Sequence, residues 1–342
     1  MQKTLVLLLL ASLNASASMD FKVPRPRLVK ARMCCAFFPS FELKPIPKLL
    51  NHIVSSFQEQ GVSTIGKYSF LNRGGSEKNG EVYTELAGFI DTAHLRDQID
   101  WTIYFFLQIK NAKQDLRLKL PRSGGKVGVT LKKEAGLLSV DDQAALAAKM
   151  AYDGSVWHEI LTWFVPSTPV GINENFSSFS PEDLFSNLLG TQIAQEAILM
   201  AAKSEESFDL TKFEELVNSK ITSRLKLFRA REIICTQDAM RSLRGLWWNP
   251  HPSSQNSRVI KRVTDHHGSV TSKTLKGDGV SLATEADSLD NYFEFVIKPK
   301  RKISKKVGLA QKTINQRDFS SMIEFIELDM QSVLDSKVLS FY

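Results

Sequence analysis

Long apolar runs are scarce in this sequence. After Leu5–Leu10 no stretch reaches the roughly 18 uninterrupted apolar residues that a membrane-crossing helix requires, so no spanning helix is expected in the chain beyond its first 17 residues. Cysteine is scarce too, with three in 342 residues, Cys34, Cys35 and Cys235, and none in a CxxC arrangement. That excludes zinc-ribbon and thioredoxin-type chemistry. Three is an odd number, so a bridge from either neighbour to Cys235 leaves one thiol free, and a Cys34–Cys35 bridge is strained. No Gly-Lys-Ser/Thr follows the isolated Gly124-Gly125, which excludes a phosphate-cradling loop there. No internal repeat is present. Neither sign of charge dominates, 44 basic against 37 acidic residues for a formal +7. A balance of that size does not imply nucleic acid, and aromatic residues are sparse around the densest basic run.

A short leader is expected. Lys3, the apolar Leu5–Leu10 and the small-x-small ending Asn14-Ala15-Ser16-Ala17 suit signal peptidase, and cleavage is expected after Ala17. The periplasm is the first expected destination and secretion the second. The whole chain is 43% apolar, enough for a substantial core.

Four regions are expected: a signal peptide over 1–17, an irregular arm over 18–47, a mainly helical core domain over 48–250, and a loop-rich C-terminal region with short strands over 251–342. Apolar spacing predicts helices over 48–60, 88–111, 140–164, from the cap at Ser180 to about Lys203, over 210–235 and over 238–248. Strands are expected over 63–71, 81–86 and 292–297, with a hairpin within 115–139. Residues 249–290 read as polar loop, and 322–330 fits strand or helix. The fold class is α+β, a bundle of four to six helices with small β-hairpins.

The most informative helix is the one read from Gly88. Its apolar side chains fall at every angle, the signature of a helix inside a core, yet it carries Asp91, His94, Gln98 and Thr102 on one arc and Arg96 and Asp100 on another. A buried charge without a partner costs several kcal/mol, on the order given by ion desolvation. Such groups satisfy one another, bind something, or line a wet pocket. On the helix over 140–164, Ala151, Gly154, Ser155, His158 and Thr162 share one face, which predicts close packing that delivers His158 to the contact.

Two histidines and two carboxylates, His94, His158, Asp91 and Glu159, joined by Glu182 or Asp183, are an inventory sufficient for a divalent metal such as zinc with an open coordination position. His94, His158 and Asp91 are the first-choice ligands. The same residues without metal make a histidine general base oriented by a carboxylate. The competing explanation is that both histidines are simply buried and hydrogen-bonded, Arg96–Asp100 is a structural pair, and Glu182 and Asp183 serve the helix dipole. Arg96 is available for an anionic substrate group, and Asn187, one turn past Asp183, for a ligand hydrogen bond. His158-Glu159 opens a motif of zinc proteases, but Thr162 stands where the second histidine is required. His251, His266 and His267 read as exposed. Lys298, Lys300, Arg301, Lys302, Lys305 and Lys306 form a solvated basic edge that also suits anionic lipid headgroups.

Four phrases carry a resemblance: Cys34-Cys35-Ala36-Phe37, Gly88 through Arg96, Ser155-Val156-Trp157-His158-Glu159, and Ser178 through Gly190. In order and spacing they resemble a family of exported bacterial proteins of unknown function, DUF4056, over roughly residues 30–250. The resemblance implies no activity. Cys34-Cys35-Ala36-Phe37 is also faintly similar to the nucleophile segment of papain-like proteases, which offers Cys34 or Cys35 as an alternative nucleophile. Pro39 follows at once, however, and the upstream glycine and serine are missing. The expectation is an exported, hydrolase-like enzyme with a His/carboxylate site between helices, or a non-catalytic envelope protein that uses the same pocket for binding.

Overall fold

The computed structural model describes residues 25–26, 59–121, 125–164, 178–202, 208–249, 259–301, 303 and 313–338. The expected leader, most of the arm, Cys34, Cys35, all but the last two residues of the helix expected over 48–60, His251, Lys302, Lys305 and Lys306 lie outside the described residues.

The chain is α+β. In order run β1 (Glu81–Thr84), β2 (Gly88–Asp91), α1 (Thr92–Lys110), β3 (Leu116–Lys119), β4 (Gly125–Leu131), α2 (Val140–Phe164), α3 (Asp183–Ala202), α4 (Leu210–Leu227), α5 (Ile233–Ser242), β5 (Ser269–Thr274), β6 (Gly277–Ala283), β7 (Phe293–Pro299) and α6 (Phe319–Val338). The strands make three antiparallel sheets, β1-β2, β3-β4-β7 and β5-β6. Helices α1, α2 and α3 pack on one another at the centre. One apolar cluster runs through them, from Ile65 to Ile326.

The buried helix read around His94 is present, but it starts four residues later than Gly88. Asp91 caps it, accepting from the backbone N–H of Ala93 at 2.6 Å and of His94 at 3.1 Å, so the chain before Asp91 stays extended and pairs with β1. Gly88 sits in that strand at φ +67, and a Cβ there would lie 1.9 Å from the carbonyl oxygen of Lys273. Only glycine permits both.

Other boundaries also differ from the sequence reading. Residues 63–71 form turns and a short 3-10 segment instead of a strand. The helix expected over 210–235 breaks after Leu227, where Arg229 takes φ +59 and Ala230 bridges to Thr84 of β1. A left-handed residue is a common helix stop, and α5 then resumes from Ile233. The region read as polar loop over 249–290 contains the β5-β6 hairpin, whose alternating burial is carried by short polar side chains as well as Val270 and Leu282. The ambiguous 322–330 stretch is helical, within α6. On the small-residue face of α2, a Cβ at Gly154 would lie 3.6 Å from the Phe295 ring of β7.

Arg96 corrects a sequence expectation. It is 1% exposed. Its Nη1 donates to Lys78 O and Asn79 Oδ1, and its Nη2 to Ile65 O and Gly66 O, at 2.7–3.0 Å. Asp100 meanwhile accepts from the Tyr68 hydroxyl and the Leu71 N–H. Arg96 is therefore a clamp on the 65–79 loop, with its guanidinium ends already taken up by protein oxygens. Arg96→Met is expected to cost about 3 kcal/mol, since charged hydrogen bonds are each worth more than neutral ones. Arg96→Lys recovers little of it, lacking the planar fork. Urea unfolding of the two variants checks both.

Lys298, Lys300 and Arg301 are exposed at the end of β7. His267 is exposed as expected, but His266 is half-buried, with Nδ1 2.9 Å from Thr264 O, and burial with His267 alongside pushes its ring down to about 4. Among the described residues no helix is long and apolar enough to cross a membrane.

Candidate functional site

Helices α1 and α3 both begin at the same place in the core, and α2 passes beside them. The first turn of α1 supplies His94, the first residue of α3 is Asp183, and the last two turns of α2 supply Glu159. One ligand atom from each of His94, Glu159 and Asp183 lies within 4.8 Å of the other two. All three are buried, at 7%, 2% and 3% exposure. His94 Nδ1 stands 3.7 Å from Asp183 Oδ1 and lacks a hydrogen-bond partner.

Close helix contact makes this convergence possible. Gly190, two turns into α3, brings that helix so near α1 that a Cβ on it would sit 2.2 Å from Leu95 O. Ser186 Oγ, on the same helix, accepts the Asp91 N–H at 2.9 Å. The loop entering α3 fixes the acids. Ser180 N–H donates to Asp183 Oδ2 at 2.8 Å and the Asp183 N–H returns to Ser180 O, half of a capping box. Ser180 Oγ donates to Glu182 Oε1 at 2.6 Å. Phe179, fully buried, holds φ +56. That conformation costs a bulky L-residue about 1–2 kcal/mol, and it lets the Phe179 N–H donate to Glu159 Oε2 at 3.0 Å.

The electrostatics are dominated by acids in low dielectric. Burial pushes Asp183 well up, helped by Glu159, Glu182 and Asp91. Burial raises Glu182 to about 7 against the hydrogen bond from Ser180. Glu81 of β1 is raised by burial and then by Glu182, Asp91 and Glu59. Burial alone would lower His94, but Asp91, Glu159, Asp97 and Glu182 outweigh it and the ring is raised. His158 behaves in the opposite way, lowered by burial and by His94 against the pull of Glu159. Arg262 is lowered to about 10 by burial while Asp183 and Glu159 pull it back up. It donates to Ser178 O and lies over the Trp163 ring at 5.0 Å.

The structure thus joins His94 and Glu159, and of the two acids offered with them, Glu182 or Asp183, it is Asp183 that completes the triplet. Asp91 stands beside the triplet with one oxygen used as the cap. His158 is half-buried and outside the triplet, within reach of its charges. Asn187 is 2% exposed, and its Nδ2 is buried with no hydrogen-bond partner. Thr162 spends its hydroxyl on Glu159 O at 2.9 Å, in keeping with the absence of a second histidine there. Cys235 is half-buried on α5, and its pairing with Cys34 or Cys35 lies outside the described residues. Sequence reasoning missed Glu81, Arg262 and the Phe179 backbone. Glu81 was hidden by assigning Asp91 to a helix, which removed the hairpin that sets them opposite each other; nothing local marks Arg262.

A second polar cluster lies along α2. Lys149 Nζ is 3.4 Å from Asp153, 3.3 Å from Asp290 and 3.7 Å from Asp287. Asp153 is nonetheless raised to about 7, because burial outweighs its share of Lys149. A folded-state value above the unfolded one means that the folded chain holds the extra proton, so stability falls as pH rises from about 4 to 7. Asp153→Asn is expected to flatten that slope, gaining about 1–2 kcal/mol at pH 8 and little at pH 4. Urea unfolding at the two pH values measures it.

The family profile described as "Protein of unknown function (DUF4056)" matches residues 23–271. No curated protein and no solved structure matches the chain.

Proposed function

From the premise that the chain belongs to the DUF4056 family of proteins of unknown function, we propose that it is a metal-dependent, hydrolase-like enzyme in which His94, Glu159 and Asp183 hold a divalent transition metal such as zinc. One observation carries this reading: an imidazole and two carboxylates from three different helices converge within 4.8 Å in the core. Burying three such groups together is costly unless a cation joins them. One nitrogen and two carboxylate oxygens suit zinc, manganese or iron. Three protein ligands leave positions for water, which the metal would acidify into a nucleophile. His158, held neutral and within electrostatic reach, is suited to accept a proton from it. Arg262 offsets the remaining negative charge. The leader over residues 1–17 supports action in the periplasm.

The alternative is a non-catalytic binding protein using the same residues. The near-complete burial of the triplet favours it over an open hydrolytic cleft. Metal analysis of chain purified without a histidine tag, followed by thermal unfolding with and without added Zn²⁺ or Mn²⁺, tests the metal. A ligand at a hundred times its Kd stabilises a folded protein by about 2.7 kcal/mol. A well-folded preparation that holds no metal and gains no stability from either ion would sink the proposal. Turnover of an ester and phosphoester panel then separates enzyme from binding protein.

A further inference from the structure

We propose that two hairpin tips and one helix end form a docking surface for an anionic phospholipid bilayer, with Leu86, Leu227 and Leu275 entering the headgroup layer and basic side chains beside them facing the lipid phosphates.

The three leucines come from separate parts of the chain and are brought together by the fold. Leu86 lies in the connection between β1 and β2, Leu275 in the two-residue connection between β5 and β6, and Leu227 is the last residue of α4. Short contacts join these tips. The Leu86 N–H donates to the carbonyl oxygen of Phe228, the neighbour of Leu227, at 3.2 Å, and the Glu85 N–H donates to Arg229 O at 3.3 Å. The two hairpins press so closely that a Cβ on Gly279 would stand 2.5 Å from Leu86 O. A Cβ on Gly88 would stand 1.9 Å from Lys273 O and 3.5 Å from the Cα of Thr274, which precedes Leu275.

Leu86 is 40% exposed, Leu227 61% and Leu275 41%. A single exposed leucine is ordinary, but three on adjoining tips make a contiguous apolar surface, which marks a contact site. Turn chemistry does not call for them. Hairpin connections favour Gly, Asn, Asp, Ser and Pro, and neither Glu85-Leu86-Ala87 nor Leu275-Lys276 contains any of these. Charge then selects the partner. Lys226 precedes Leu227 and Lys276 follows Leu275, and both are exposed. Arg229 and Arg231 reach Glu85 at 3.7 and 3.2 Å, and Lys273 holds Asp278 at 2.6 Å. Over residues 85–87, 226–231 and 273–278, the five basic residues Lys226, Arg229, Arg231, Lys273 and Lys276 stand against two acids, Glu85 and Asp278. Apolar side chains bordered by an excess of Lys and Arg suit the headgroup boundary of an anionic bilayer. Lys298 and Lys300, at the end of β7, have no exposed large apolar residue next to them in the chain, so they serve as the control.

The test is sedimentation of the full-length protein with vesicles of phosphatidylglycerol and phosphatidylcholine, or of phosphatidylcholine alone, at low and high salt. The wild type is expected to bind the mixed vesicles and to weaken about tenfold or more on pure phosphatidylcholine or in high salt, since each basic side chain near an anionic surface contributes about fivefold. The triple variant Leu86→Ser, Leu227→Ser, Leu275→Ser is expected to bind about 100-fold more weakly, at about fivefold for each part-exposed leucine. The double variant Leu227→Ser, Leu275→Ser replaces it if the triple variant does not fold. Lys298→Glu with Lys300→Glu is expected to bind like the wild type. The apolar segment Leu5–Leu10 is common to all variants, so their differences report the tips. A wild type that ignores the mixed vesicles overturns the proposal, as does a folded triple or double variant that binds as tightly as the wild type. Equal binding to both vesicle types at either salt overturns the assignment to anionic lipid. Loss in the Lys298 and Lys300 variant with retention in the leucine variant moves the contact to β7 and overturns it too. An oligomeric wild type, a monomeric leucine variant and no vesicle binding by either would identify the leucines as a protein interface, which also overturns it.

Discussion

His94→Ala is expected to weaken divalent-metal binding on the order of 100-fold or more while leaving the chain folded. Loss of even an outer partner of a ligand costs metal sites about 10–100-fold, and His94 supplies the only nitrogen of the triplet. The fold should survive, because the structural role of this position is played by its backbone N–H, which Asp91 caps, and alanine retains that. Asp183→Asn is expected to bind more weakly too, while an amide oxygen still receives the Ser180 N–H that now goes to Oδ2. His158→Ala is the control that discriminates. It stands outside the triplet, so binding should stay within about tenfold while any turnover falls. Isothermal titration with Zn²⁺ on the three variants decides. Loss of binding in His158→Ala with retention in His94→Ala would mean that the ligands are misassigned.

Gly190→Ala is expected to destabilise the protein by about 2–4 kcal/mol, the upper range for forcing extra atoms into a packed interior. Alanine ordinarily favours a helix over glycine by about 1 kcal/mol, so the predicted sign is opposite to intrinsic propensity. The reason is the Leu95 carbonyl oxygen, 2.2 Å from where the methyl would stand. That obstacle is backbone and cannot rotate away. Because Leu95 follows His94 and Gly190 lies on the helix of Asp183, spreading the helices also separates the two ligands. Stability by urea unfolding and Zn²⁺ affinity by titration should fall together. A variant as stable as the parent would show that α1 and α3 are less tightly apposed.

Much of this arrangement was legible in the sequence because it is written in local chemistry. Apolar residues at all angles between Phe89 and Ile109 marked a buried helix, and polar groups within it marked a site. Ser180-Pro181-Glu182-Asp183 marked the start of α3. What was missed depends on tertiary partners. Residues 88–91 have apolar content that suits either helix or strand, and only the pairing of Glu81 with Asp91 decides. The β5-β6 hairpin is polar and short, and the close approach of its Lys273 carbonyl to Gly88 is invisible to periodicity. Asp183 satisfied a capping rule on its own, which concealed that its second oxygen faces His94. Arg96 paired on paper with Asp100 at helical spacing, whereas the guanidinium found carbonyls from a loop some thirty residues earlier.

The β3-β4-β7 sheet sets a timetable for the growing chain. Strand β4 gains its second neighbour only when Phe293–Pro299 is available, with Gly125 pairing to Pro299 and Leu131 to Phe293. Until then Val127, Val129 and Leu131 belong to a two-stranded ribbon whose β4 edge is open, the kind of surface that recruits other chains. Closure therefore waits on a contact between distant parts of the sequence, and such contacts slow folding. A fragment ending at residue 271 would retain His94, Glu159 and Asp183 but carry that edge permanently, along with the surface of α2 that Phe319 covers against Trp157. The segment beyond the family match thus completes the sheet and covers the helix of the part within it.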